Sequence, residues 1–142
     1  MKKVFIFIFL FLLSYAGYSQ SIDSIIVYKG GGFSGMIQAY KLLKKEVYRG
    51  KGMATVKYTD RAYPKKTQYE QLKTIYEESG KLFLQKNGFN FPSNVYYTIE
   101  IYSKGNTIKY TWGDPTFEAP KEVLNLYNRI EILVKELKFQ TK

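Results

Sequence analysis

Six residues, Gly30-Gly31-Gly32-Phe33-Ser34-Gly35, form the one pattern in this chain with a chemical precedent. Read literally they are G-x-G-x-x-G, whose backbone N–H groups cradle a pyrophosphate where a strand runs into a helix. A strand precedes them, and an acid, Asp60, follows 25 residues after Gly35. Three facts oppose dinucleotide chemistry. The fingerprint needs a parallel βαβ unit in a doubly wound sheet, whereas the rest of this chain reads as an antiparallel hairpin plus helices. Three glycines in a row blur the separate jobs that the fingerprint gives to each. The N-terminus marks an exported chain, which meets little NAD. The same residues also suit a turn between antiparallel strands, because glycines accept positive φ wherever a reversal needs it. Phe33 then stands at the tip, either outward as a contact residue or folded back over the edge of the core.

Composition removes most other chemistries. The chain has no histidine and no cysteine, so no Ser-His-Asp triad, imidazole metal site, cysteine nucleophile or disulfide can be built. Carboxylates remain. Glu77-Glu78 is expected on the polar side of a helix as a solvated pair. Asp114, Glu118 and Glu122 could gather a calcium ion, but their spacing matches no calcium loop, and acids are favoured at a helix start in any case. No pair stands out as the two facing carboxylates of a glycosidase. Neither a catalytic nor a metal nor a cofactor site is therefore expected. Tyr96, Tyr102, Phe89 and Phe91 could stack sugars or bases, yet aromatics are ordinary strand residues.

The elements that would position these residues are legible in part. Apolar residues at Val123, Leu126, Tyr127, Ile130, Leu133, Val134 and Leu137 recur at helical spacing, behind Pro120, which suits a first turn. Residues 95–102 and 107–112 alternate with period two around Lys104-Gly105, an antiparallel hairpin with one buried face. A second helix lies between Pro64 and Gly80, with Gly80 as its C-cap, Leu82–Leu84 as a short continuation, and residues 86–93 as a loop. Residues 24–29 and 53–58 read as strands, the latter entered by a turn at Gly50-Lys51-Gly52. Residues 36–48 fit either a strand or a helix.

Lys2-Lys3, then an apolar run over residues 4–13, then small and polar residues, form a secretory signal. The run is shorter than the roughly 20 residues that span a bilayer. Cleavage after Ala16 or Ser19 is expected, giving a signal peptide over residues 1–19 and a single domain over residues 20–142. With no cysteine after the run, the chain is not a lipoprotein, and its destination is periplasmic or extracellular. Losing Lys2 and Lys3 takes the net charge from +10 to +8, a field that favours acidic partners. No RNA-binding or zinc-finger pattern accompanies it, so specific nucleic-acid binding is not expected.

With Ile25-Ile26-Val27-Tyr28-Lys29 running into Gly-Gly-Gly-Phe-Ser-Gly, with Phe91-Pro92-Ser93-Asn94-Val95-Tyr96-Tyr97 entering an aromatic strand, and with the Pro120-led helix at the end, the chain resembles the emfourin family. These are small bacterial proteins that inhibit thermolysin-type (M4) zinc metalloproteases. The resemblance covers most of residues 22–137. It departs at Ser34, where the family has Ala, and over residues 36–60, which are longer and more basic here. It implies that residue 36 onward is a strand. The expected fold is then α+β: an antiparallel sheet of four to five strands, β-β-β-α-β-β-α, with both helices on one face. It further implies a protease inhibitor, with Gly31, Gly32, Phe33, Ser34 and Gly35 as the contact loop and Phe33 as anchor. With the export signal and no histidine or cysteine, a secreted, non-enzymatic monomer that blocks its protease sterically is expected. The alternative is an envelope-associated structural or ligand-binding module whose basic surface meets acidic glycans.

Overall fold

The computed structural model describes residues 21–141, so the expected signal segment, residues 1–19, lies outside the described residues. In chain order the elements are β1 (Ser24–Gly31), β2 (Ile37–Leu42), β3 (Val47–Gly52), β4 (Lys57–Ala62), α1 (Lys66–Gln85), β5 (Phe89–Phe91), β6 (Val95–Ser103), β7 (Asn106–Trp112), α2 (Lys121–Glu136) and β8 (Gln140–Thr141). The fold is α+β. All eight strands join one sheet in the order β5-β7-β6-β1-β2-β3-β4-β8, antiparallel throughout except for the β5–β7 pair.

Branched and aromatic residues set the register. Ile25 lies between Leu42 and Ile101, Val27 between Tyr40 and Ile99, Val47 between Leu42 and Ala62, and Tyr110 beside Ile99. Successive side chains of a strand point to opposite faces, so all of these share one face. Both helices cover it. Leu72, Ile75 and Phe83 of α1 and Val123, Leu126, Ile130 and Leu133 of α2 complete a single core with the strand residues. The helices also touch at their ends, where Gln68 Nε2 donates to the Glu136 carbonyl at 3.0 Å. Pro120 caps α2, accepting from the backbone N–H of Val123 and Leu124. Lys104 and Gly105 both have positive φ at the β6–β7 reversal, as a two-residue primed turn requires.

The structure differs from expectation at several places. Residues 36–48 are strand, turn and the start of another strand, with no helix. Gly50-Lys51-Gly52 ends β3 and makes no turn; the reversal follows over residues 53–56, and the next strand runs over 57–62. The glycines are there because backbone comes close. A Cβ on Gly52 would lie 1.8 Å from the Thr55 carbonyl oxygen, and one on Gly50 2.6 Å from that of Lys57, and glycine inside a strand often marks such an approach. Gly80 is interior to α1, which runs to Gln85; Lys86, at φ 54°, supplies the left-handed cap, its N–H bonding the Phe83 carbonyl. Residues 86–93 contain the edge strand β5. With β5 and β8 added at the edges and β3 inside, the four to five expected strands extend to eight.

Candidate functional site

β1 delivers the chain to Gly31 and β2 takes it back from Ile37, so the five residues expected as a contact loop fall in one tight reversal. Gly31, Gly32 and Gly35 have φ of 91°, 72° and 62°, the left-handed region that L side chains avoid. Gly32 N–H donates to the Asn94 carbonyl at 2.7 Å, and Gly35 N–H to the Gly32 carbonyl at 3.2 Å. Met36 N–H donates to Ser34 Oγ at 3.3 Å. Phe33 is fully exposed at the tip, 111 % of its reference surface. Of its two expected placements, the outward one is realised. No helix follows the glycines and the flanking strands are antiparallel, so the phosphate-cradle geometry is absent.

The pairing register gathers more at this end of the sheet. Gly31 is opposite Val95, Ile37 opposite Gly52, and Trp112 beside both Tyr97 and Phe91. The reversals after β1 and β3, the exit from β5 and the entry to β6 therefore lie side by side. Phe33, Met36, Met53, Phe91 and Val95 are all exposed along this end, with Met36 and Val95 beside the loop and Phe91 out on the edge strand β5. Immediately inside this rim, Lys29, Gln38, Lys51 and Lys57 run across β1 to β4 in one cross-strand row, all exposed. Lys51 and Lys57 are direct partners, and like charges directly opposite destabilise a sheet.

The face away from the helices carries tyrosines over small residues. Tyr96 covers Gly30, where a Cβ would lie 2.6 Å from the Tyr96 hydroxyl oxygen, and its ring meets Tyr28 edge-on. Glu100 is the hub. Tyr28 Oη donates to its Oε1 at 3.0 Å, Tyr102 Oη donates to Oε2, and Lys109 Nζ lies 3.3 Å from Oε1. Burial, then the bond to Glu100, pushes the Tyr102 phenol up; burial, then the Glu100 charge, does the same to Tyr58. The bond to Tyr28, and after it the contacts with Glu100, push the Lys109 ammonium up. Both Glu100 oxygens are thus engaged by hydroxyl and ammonium donors, and the group serves as an acceptor that ties β6 to β1 and β7.

The other candidate residues do not converge. Glu78 pairs with Arg129 of α2 at 3.1 Å, while Glu77 is exposed beside a surface cavity. Asp114 accepts from the N–H and hydroxyl of Thr116 at 2.8 and 2.7 Å, which hold its carboxyl low. Glu118 and Glu122 are exposed. Phe89 and Phe91 pack with Phe117, the last pair stacked at 4.0 Å, on the opposite face from Tyr96 and Tyr102. Sequence reasoning did not single out Met53, Val95, the lysine row or Glu100. Their signal is the pairing register, which no local pattern in the chain encodes.

No helix among the described residues is long and apolar enough to cross a membrane. No protein-family model matches the chain, and no curated protein matches its sequence.

Proposed function

We propose that this is a secreted, non-enzymatic binding protein whose glycine loop inserts Phe33 into a protein partner, and that the partner is a thermolysin-type zinc metalloprotease blocked sterically. One observation carries the reading: a fully exposed phenylalanine on a loop pinned by the Gly32–Asn94 bond. A rigid aromatic supplies a large share of binding energy at a small loss of freedom. Met36 and Val95, exposed beside the loop, add apolar surface for the partner to cover. With neither histidine nor cysteine to offer, the loop occupies the protease cleft without taking its zinc.

The test is peptide cleavage by a thermolysin-type protease with the protein in micromolar excess. Inhibition lost in Phe33→Ala, with an unchanged melting temperature, supports the reading; undiminished cleavage by the protease beside the wild-type protein overturns it. A second reading is favoured by the Lys29–Lys51–Lys57 row, which suits an acidic glycan of the cell envelope. Salt-sensitive retention on an anionic polysaccharide, lost on reversing Lys51 and Lys57 and indifferent to Phe33, would select it.

A further inference from the structure

At the far end of the sheet from the Phe33 loop, α1 borders an open cavity. Tyr69, Leu72, Tyr76 and Leu84 of α1, with Ile22 and Lys44, line this cavity of about 560 Å³. That volume is in the range of small-molecule sites. Its floor is apolar: Ile22 and Leu72 are buried, and Tyr69 and Leu84 are exposed at its edge. The hydroxyl of Tyr76 is turned away, donating to the Leu42 carbonyl at 3.0 Å, so its ring presents carbon to the cavity.

The charge around that floor is one-sided. Lys44, Lys73 and Lys81 stand exposed against the single acid Glu77, and none of the four makes an ion pair with any described residue. Gly80 adds a second irregularity. A glycine inside a helix costs about 1 kcal/mol against alanine, and this one is buried where α1 borders the cavity. Departures from local preference of this kind concentrate at functional sites.

We infer that this cavity binds a free, single-chain anionic amphiphile, its acyl chain on Tyr69, Tyr76 and Leu84 over the buried Ile22 and Leu72, and its carboxylate among Lys44, Lys73 and Lys81. The apolar residues form the floor of a concavity, a shape that takes one chain and offers little to a flat bilayer. The site is remote from the Phe33 loop and independent of its role.

The experiment titrates the purified protein with dodecanoate below its micellar concentration, by calorimetry and by amide chemical shifts. Saturable binding at one site is expected, with shifts confined to residues 69–84, the Ser21–Ile22 segment and the neighbourhood of Lys44. The exposed double variant Lys73→Glu/Lys81→Glu should fold normally and bind at least tenfold more weakly, and dodecyltrimethylammonium should bind wild type at least tenfold more weakly than dodecanoate. Phe33→Ala should bind dodecanoate as wild type does. Equal affinity for both head groups, unchanged binding by the double variant, or association only with anionic vesicles would overturn the assignment.

Discussion

The backbone N–H of Gly32 donates to the carbonyl of Asn94 at 2.7 Å, which fastens the glycine loop to the entry of β6. The loop is therefore held by a neighbouring strand as well as by its own turn. Gly31 has no room for anything else: a Cβ there would lie 1.8 Å from the Asn94 oxygen, at φ 91°. Gly31→Ala should force the loop off β6, costing more than the ~1–2 kcal/mol of left-handed strain alone and abolishing any Phe33-dependent binding. Gly35→Ala is the control. Its Cβ would meet nothing within 4 Å, so only the strain applies and binding should survive. Chemical denaturation of the two variants beside a partner-binding assay checks the contrast.

Tyr110 explains how α1 can end where it does. Its hydroxyl donates to the Leu82 carbonyl at 2.9 Å in the core, while the N–H of Lys86, the usual helical donor to Leu82, bonds Phe83 instead. The last carbonyls of a helix need such outside donors. Tyr110→Phe should lower stability by about 1–3 kcal/mol, the cost of leaving a buried acceptor unpaired, with the fold retained. Urea denaturation with an unchanged m-value is the measurement.

Tyr40, Tyr58, Tyr76, Tyr102, Tyr110 and Tyr127 are all pushed above the ordinary phenol value, chiefly by burial. A group with a raised folded-state pKa contributes stability that is complete below its unfolded pKa, about 10 for tyrosine. That contribution is lost as pH rises through the folded value, because the unfolded chain releases its protons first. Stability should hold level up to about pH 9 and fall steeply above 10. Tyrosinate absorbance should then rise in step with loss of the folded signal. Independent, gradual titration of all described tyrosines in a still-folded protein would contradict this.

How much of this was legible in the chain follows from where each signal sits. The β6–β7 hairpin and α2 announce themselves through local periodicity, because Ile99, Ile101 and Tyr110 on one side and Val123, Leu126 and Ile130 on the other all face one core. The Phe33 turn was legible from its glycines. The glycines of β3 misled for the same reason: Gly50 and Gly52 look like reversal chemistry, yet they make room for the backbone of Lys57 and Thr55. β5 and β8 are too short, at three and two residues, to show any period. The rim and the lysine row depend on which strands become neighbours. A strand order with β1 between β6 and β2 is a long-range outcome of core burial that no window of sequence contains.

The Lys51–Lys57 pair separates stability from binding most cleanly. The two lysines occupy directly opposed positions on β3 and β4, both exposed and neither in an ion pair with a described residue. Opposite charges at such positions stabilise a sheet by roughly 0.2–1 kcal/mol and like charges oppose it. Lys57→Glu should therefore make the fold more stable by up to about 1 kcal/mol. The gain should shrink as salt rises, since screening reaches ~10 Å at 0.1 M. If the lysine row meets an acidic partner surface, the same change weakens that binding and flattens its salt dependence. A variant that melts higher but binds less would identify the repulsion as retained for recognition. One that melts higher and binds unchanged would assign the row to solubility alone.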